Sequence, residues 1–304
     1  MMRNYSQYLT ENRLAIFLFH GVIEKAYHAV RNYNRKHLEK DYFYKELKEL
    51  QKNGMPMTMD DVINHHESSI PFPPYAFTVT FDDGFENNYS IAAPILSELR
   101  IPATFYLTTS FIEMNTMSWI DRIEFCLEHT PRGELHFRWD HAKAYAFHDR
   151  ITKRKLLDFL RTKVKQSISI DLEELVQDVF SQCKMTSISK SDDPLDLKMN
   201  WKQVRELKNG GSFTVGGHSH HHINLAYLSA ENAENEITTS IGFLKEKAGI
   251  EAMHYSYPEG LDYCYSDEII QILKQCGIVC CPTAIDGTNT VDVDLFHLKR
   301  IAVV

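Results

Sequence analysis

The 304-residue chain has no long run of lysine or arginine, and its formal charge is −8. A polyanion partner such as nucleic acid calls for a basic face, so that class of function is excluded. No stretch is long enough to span a bilayer: the apolar run Ala15-Ile16-Phe17-Leu18-Phe19 ends at His20, and the opening thirteen residues are mostly polar. Neither a signal peptide nor a membrane span is expected. The six cysteines, Cys126, Cys183, Cys264, Cys276, Cys280 and Cys281, lack zinc-finger spacing and accompany no export signal. The expectation is a cytoplasmic protein with reduced, mostly buried thiols. Internal repeats and low-complexity tracts are missing too. What is present, 43% hydrophobic and 24% charged residues, suffices for a large core and a single domain over residues 1–304.

Along the chain, residues 14–19 read as a buried strand that delivers His20-Gly21-Val22 to its C-terminal end. Residues 38–51 read as a helix with Phe43, Leu47 and Leu50 on one side, stopped by Asn53-Gly54. A proline-rich loop at 68–74 leads into the alternating run Phe77, Val79, Phe81. Helices at 91–99, 201–207, 229–247 and 266–276 and strands at 102–107, 213–215, 253–257 and 278–282 continue the rhythm. Such βα alternation predicts a parallel sheet or barrel. Residues 121–200 interrupt it and read as a helical insertion. Leu156, Leu157, Leu160 and Val164 make one apolar stripe there; Leu172, Leu175, Val176, Val179 and Phe180 make another, opened by a capping box of Asp171 and Glu174.

Chemistry concentrates at two places. Asp82 and Asp83 stand side by side at a strand end, and Gly84 lets the backbone turn sharply after them. Two adjacent like charges call for a metal on one of them or a shared proton. Downstream, Gly216-Gly217-His218-Ser219-His220-His221-His222 follows the apolar run Phe213-Thr214-Val215. A tight turn would aim His218 and His222, four apart, at one point and turn His220 and His221 elsewhere. With Asp83 these make two imidazoles and one carboxylate, a set that leaves an open position on a catalytic divalent ion.

The pieces Thr80-Phe81-Asp82-Asp83-Gly84, Ile101-Pro102-Ala103-Thr104-Phe105-Tyr106-Leu107, His218-Ser219-His220-His221-His222 and Tyr257-Pro258-Glu259-Gly260 together resemble the polysaccharide deacetylase (NodB homology) family. The resemblance implies a distorted, partly open (β/α)7 barrel of the TIM-like kind. It also implies metal-dependent hydrolysis of N-acetyl or O-acetyl groups on sugars, with Zn2+ first among the ions and Ni2+, Co2+ or Fe2+ as alternatives. Asp83, His218 and His222 would hold the ion, Asp82 would be the general base, and the backbone N–H of Glu259 would meet the oxyanion.

Two departures stand out against that family pattern. The acid histidine usually comes from a late Leu-x-His motif, whereas the first strand here ends in Phe19-His20-Gly21-Val22, like the circularly permuted members. His20 is therefore assigned as general acid. Ser256 occupies the place of the arginine that braces the base aspartate, and a serine is not expected to do that work. Arg300, on the final strand, is the candidate to bind Asp82 instead. The expected substrate is an acetylated sugar, nucleotide-linked or lipid-linked, used in surface polysaccharide or glycoconjugate assembly. The rival readings are a degenerate sugar-binding module, motivated by the missing arginine, and a mononuclear iron oxygenase, which uses the same ligand types.

Overall fold

The computed structural model describes residues 4–165, 167 and 170–304, so the first three residues of the polar opening stretch lie outside it. Among the described residues no helix is long and apolar enough to cross a membrane. The chain divides into two compact units: Met1–Glu24, Lys36–Asn115 and Lys198–Val304 form the larger, Lys25–Arg35 and Thr116–Leu197 the smaller. Each has its own apolar core.

In the larger unit the strands Ile301–Ala302, Ala15–Phe19, Ala76–Phe81, Ala103–Leu107 and Phe213–Gly217 lie side by side in that order, every neighbouring pair parallel. Three of them, Ala15–Phe19, Ala76–Phe81 and Ala103–Leu107, are buried at every position, the signature of strands covered on both faces. Phe81 is in register with Phe19 on one side and Phe105 on the other, and the rings stack at 5.3 and 5.0 Å. Beyond Phe213–Gly217 the sheet continues only as single bridges, Gly217 to Tyr255 and His254 to Cys280. The sequence predicts full strands at both places. Pro258 and Pro282 have no N–H with which to extend a ladder, and Glu259 and Gly260 turn the chain away at positive φ. With Met55–Pro56 paired alongside Ala76–Phe81, six strands and two bridged stretches make a distorted, partly open TIM-like barrel.

Around these strands run the helices Lys40–Asn53, Ala93–Glu98, Trp201–Asn209, Ala230–Ala248 and Asp267–Gln275, each turning an apolar side inward. Met59–Ser68 is a further helix that the periodicity reading passes over, although Thr58 and Asp61 form a capping box at its start. Ahead of Ala93–Glu98 a π turn spans Asn88–Ala92, where Pro94 withholds the N–H an α turn would use.

The smaller unit holds the helices Trp119–His129, Arg150–Lys165 and Leu172–Gln182 and an antiparallel hairpin of Gly133–Phe137 with Asp140–Phe147. The hairpin corrects a wholly helical reading of 121–200. Leu135 and Phe137 are buried while Glu134 and His136 are exposed, a period of two too short to stand out beside the helical stripes. Asp171 does cap Leu172–Gln182 by accepting the Glu174 N–H, but the Glu174 carboxylate pairs with Arg138 and no capping box closes. Several buried charges are paired: Arg31 with Asp193 at 3.3 Å and with Asp196, and Arg161 with Glu124 at 2.7 Å. Glu128 accepts the N–H groups of Ala29, Val30 and Arg31 at 3.1, 2.6 and 3.1 Å.

Candidate active site

The carboxyl ends of parallel strands form one pole of a barrel, and the chemistry-bearing residues of the larger unit gather there. Sheet hydrogen bonding places them. The Asp82 N–H donates to Phe19 O at 3.1 Å, the His218 N–H to Leu107 O at 2.9 Å and the Ser256 N–H to Gly217 O at 2.9 Å. Asp82 is thus set beside His20, and His218 beside Ser256. Gly217 permits the approach of the Tyr255 segment, since a Cβ there would come within 2.4 Å of the Tyr255 ring. Gly84, at φ +84°, turns the chain directly after the carboxylates.

Asp83, His218 and His222 each offer a ligand atom, all within 4.8 Å of one another. His222 Nε2 lies 3.3 Å from Asp83 Oδ1, and His218 Nε2 lies 3.7 Å from the same oxygen. The turn between the histidines is pinned: the His222 N–H donates to Ser219 Oγ at 2.9 Å, and the Ser219 N–H to the Tyr255 hydroxyl at 2.8 Å. Phe111 stacks along the His222 ring at 6.1 Å. The donor set fits a divalent cation on two grounds. Asp83 Oδ1 is buried with no hydrogen bond of its own. Meanwhile His218 Nδ1 lies 2.9 Å from Ser256 O and 2.7 Å from Ser256 Oγ, so its N–H is used there and the Nε2 lone pair faces the Asp83 oxygen. Burial drives His218 down to about 4. Burial also acts to lower His222, but the adjoining Asp83 carboxylate outweighs it and raises that imidazole.

Asp82 is the opposite case. It is buried and clamped by Arg300, whose two terminal nitrogens donate to its two oxygens at 2.8 Å each. Arg300 in turn donates through Nε to Thr283 O at 2.5 Å and rests its guanidinium 5.8 Å from the Tyr106 ring. Burial alone would raise Asp82, but Arg300 and His218 hold it below the usual carboxylate range. Ser256 also reaches this carboxylate, donating to Oδ1 at 3.3 Å beside the two-point clamp from Arg300. In the sequence Ser256 stands at the bracing position with no bracing role expected of it, and Tyr106 has no expected role in the site. Ser256 does immediately precede Tyr257-Pro258, and its place at a strand end is the signal that could have found it.

His20 is half-buried, and its backbone oxygen accepts from Asn88 Nδ2 at 2.7 Å. Burial lowers its imidazole, while Asp83 and Asp82 act to raise it. Glu259 sits in the left-handed region at φ 61°, and its carboxylate acts to raise His222. Three further site residues share that unusual backbone: Asp83 at 75°, Ser219 at 60° and His222 at 58°. Lys36 and Lys198 lie 4.9 and 4.0 Å from the Phe85 ring, just past the carboxylates. Four other histidines face other partners: His220 Nδ1 meets Thr109 Oγ1 at 2.8 Å, His221 meets Glu236, His254 meets Asp60, and His297 meets Asp294. Tyr257 is buried against Tyr265 at 4.5 Å, and Trp119 packs on the core of the smaller unit, so each aromatic belongs to packing.

The sequence profile described as polysaccharide deacetylase matches residues 70–154 and 180–281. No curated protein matches the chain. Among solved structures, the Streptococcus pyogenes deacetylase PplD in complex with acetate is 16% identical, with a TM-score of 0.60 over 96% of this chain and 93% of that one. IcaB from Ammonifex degensii is 16% identical, with a TM-score of 0.60 over 98% and 94%. The BpsB deacetylase domain from Bordetella bronchiseptica is 16% identical, with a TM-score of 0.57 over 96% and 97%. At such identity these likenesses establish a shared fold.

Proposed function

The chain belongs to the polysaccharide deacetylase family, and from that premise we propose that it removes an acetyl group from a sugar nitrogen or oxygen by metal-dependent hydrolysis. One observation carries the reading: neighbouring carboxylates are given different tasks. Asp83 turns a bare buried oxygen toward two imidazoles, while both oxygens of Asp82 are clamped by Arg300. A divalent ion held by Asp83, His218 and His222, for which Zn2+ suits the ligand types, supplies Lewis-acid polarisation of an acyl oxygen and acidification of a water.

The chain's own groups perform the rest. Asp82, kept ionised by Arg300, takes the proton of the attacking water. The Glu259 backbone N–H donates to the oxygen on which negative charge develops. His20 gives a proton to the leaving nitrogen; Asp82 and Asp83 oppose the burial that favours its neutral form. Arg300 touches no reacting atom in this scheme and acts by positioning Asp82. The family acts on acetylated carbohydrate, and the finer proposal for this chain is a nucleotide-linked or lipid-linked sugar in surface polysaccharide or glycoconjugate assembly.

The test is acetate release from a panel of N-acetylated and O-acetylated sugars, before and after chelation and after return of Zn2+, Ni2+, Co2+ or Fe2+. Release that stops on chelation and returns with metal supports the proposal. Saturable sugar binding without acetate release would make the protein a sugar-binding module, and turnover that requires dioxygen would make it an oxygenase.

A further inference from the structure

His20 stands where the chain changes sheets. The barrel strand Ala15–Phe19 ends one residue before it, and Gly21–Ile23, one residue after it, pairs instead with His37–Glu39 in a separate two-stranded sheet. A residue at such a crossing belongs to neither strand, so its direction has to be fixed by other bonds. Phe19 O accepts from the Asp82 N–H at 3.1 Å, and the Gly21 N–H donates to Lys36 O at 3.2 Å. The next groups go to consecutive asparagines: Asn88 Nδ2 donates to His20 O at 2.7 Å, and the Val22 N–H donates to Asn87 Oδ1 at 3.0 Å.

Both asparagines are buried, on the chain that turns away from Asp82 and Asp83 at Gly84, and Asn88 opens the π turn Asn88–Ala92. Such turns recur at functional sites. Asn87 is oriented by His37, whose Nδ1 accepts from Asn87 Nδ2 at 3.1 Å and so leaves Oδ1 for Val22. His37 is in register with Gly21, and a Cβ on Gly21 would come within 2.0 Å of His37 Nδ1, so only glycine admits the ring that holds Asn87. Asn88 is oriented by His20 itself, because its oxygen turned toward the His20 carbonyl would be repelled. That orientation leaves Asn88 Oδ1 buried without a hydrogen bond, which costs stability. A leucine of similar shape would pack there without that cost, so packing alone does not account for the asparagine.

We propose that Asn88, supported by Asn87, is the positioning residue of the proton donor: by holding the His20 carbonyl it fixes the backbone from which the imidazole reaches the leaving nitrogen. This rests on the reading of His20 as general acid given above. Asn88 touches no reacting atom. Both amides sit on the stretch of chain that carries Asp82, so the acid and the base are referenced to one short segment. Misplacing a reacting group by about 1 Å can cost ~10²-fold in rate, and a carbonyl clamp next to the imidazole acts on that scale.

The experiment measures kcat of the metal-loaded full chain on an N-acetylated sugar from the panel and on para-nitrophenyl acetate, whose phenolate leaves unprotonated. It compares the unsubstituted protein, Asn88→Leu, His20→Ala and the double variant. Asn88→Leu should lose roughly 10–100-fold on the amide and little on the ester, with metal content unchanged by elemental analysis. In the His20→Ala background the same substitution should cost nothing further, because no imidazole is left to place. Equal losses on both substrates, or losses that multiply in the double variant, would overturn the proposal, since Asn88 would then act on the site at large. Unchanged amide turnover in Asn88→Leu would overturn it too, and would leave His20 as the acid where His20→Ala keeps an amide-selective loss. If His20→Ala shows no such selectivity, the reading of His20 falls and this proposal with it. Should Asn88→Leu not fold, Asn88→Ala carries the same expectations.

Discussion

Both units bury charge, and they treat it differently. In the smaller unit the carboxylates are answered, and the buried charged atoms left over are nitrogens: Asp193 and Asp196 meet Arg31, Glu124 meets Arg161, and Glu128 takes three backbone N–H groups. In the larger unit both oxygens of Asp82 are hydrogen-bonded, whereas Asp83 Oδ1, 3.3 Å from His222 Nε2 and 3.7 Å from His218 Nε2, is buried without a hydrogen bond. A buried polar atom left unmatched costs about 1–3 kcal/mol. Buried nitrogens of Arg31, Arg154 and Arg161 also lack hydrogen-bond partners, but among the described residues Asp83 Oδ1 is the one buried carboxylate oxygen that does, and it sits beside two imidazoles, which is what the proposed metal site rests on.

The contrast is broken most severely by removing the open ligand. Asp83→Ala, His218→Ala or His222→Ala should each lose bound metal and reduce turnover to background; stoichiometric metal by elemental analysis in any of them would remove that residue from the ligand set. Asp82→Asn separates the two carboxylates. It should retain the metal yet lose ~10²–10⁴-fold in turnover, and unchanged kcat would take Asp82 out of the chemistry. His20→Ala should show the same ~10²–10⁴-fold loss on an amide and far less on an activated aryl acetate, whose phenolate leaves unprotonated. Equal losses on both substrates would make His20 structural.

Arg300→Met tests the matched side. Taking one member from a buried ion pair costs about 3–5 kcal/mol, so the urea midpoint should fall sharply, and more than in the double variant Arg300→Met, Asp82→Asn. The smallest effect belongs to the smaller unit. Glu128 is lowered because three backbone N–H groups overcome the burial that raises it. A carboxylate lowered by folding stabilises above its unfolded value and loses that contribution as pH falls through the folded one. Glu128→Gln should therefore cost about 1 kcal/mol near neutrality and flatten the acid side of the stability profile below pH 4.5, leaving metal content intact. A profile identical to that of the unsubstituted protein would show that the loop 25–35 is held by other contacts.

How far the sequence could be read follows from the range of the interactions involved. Strands such as Ala15–Phe19 announce themselves because both faces are covered and every residue is apolar. The hairpin at Gly133–Phe137 and Asp140–Phe147 gives only a short alternation, and the stretches at 254–255 and 280 carry strand-like composition but make single bridges. Within the site, the carboxylate pair and the histidine turn are local motifs and stand out in one dimension. Arg300 and Asp82 are 218 positions apart and meet because the last strand lies beside the first. The Ser256 contact to Asp82 spans 174 positions and a serine carries no charge to advertise it. Such contacts are products of sheet order, which composition does not encode locally.

The left-handed backbone at Asp83, Ser219, His222 and Glu259 bears on how this protein would change under selection. A non-glycine residue held there costs of order 1 kcal/mol, and glycine at any of the four would relieve it. Selection for thermal survival alone, with no demand for turnover, would thus drift first through the carboxylate and the histidine proposed to hold the metal. Lineages that stop using the reaction should lose Asp83 and His222 early and keep the barrel, and Arg300 with Asp82 should outlast them as a buried pair.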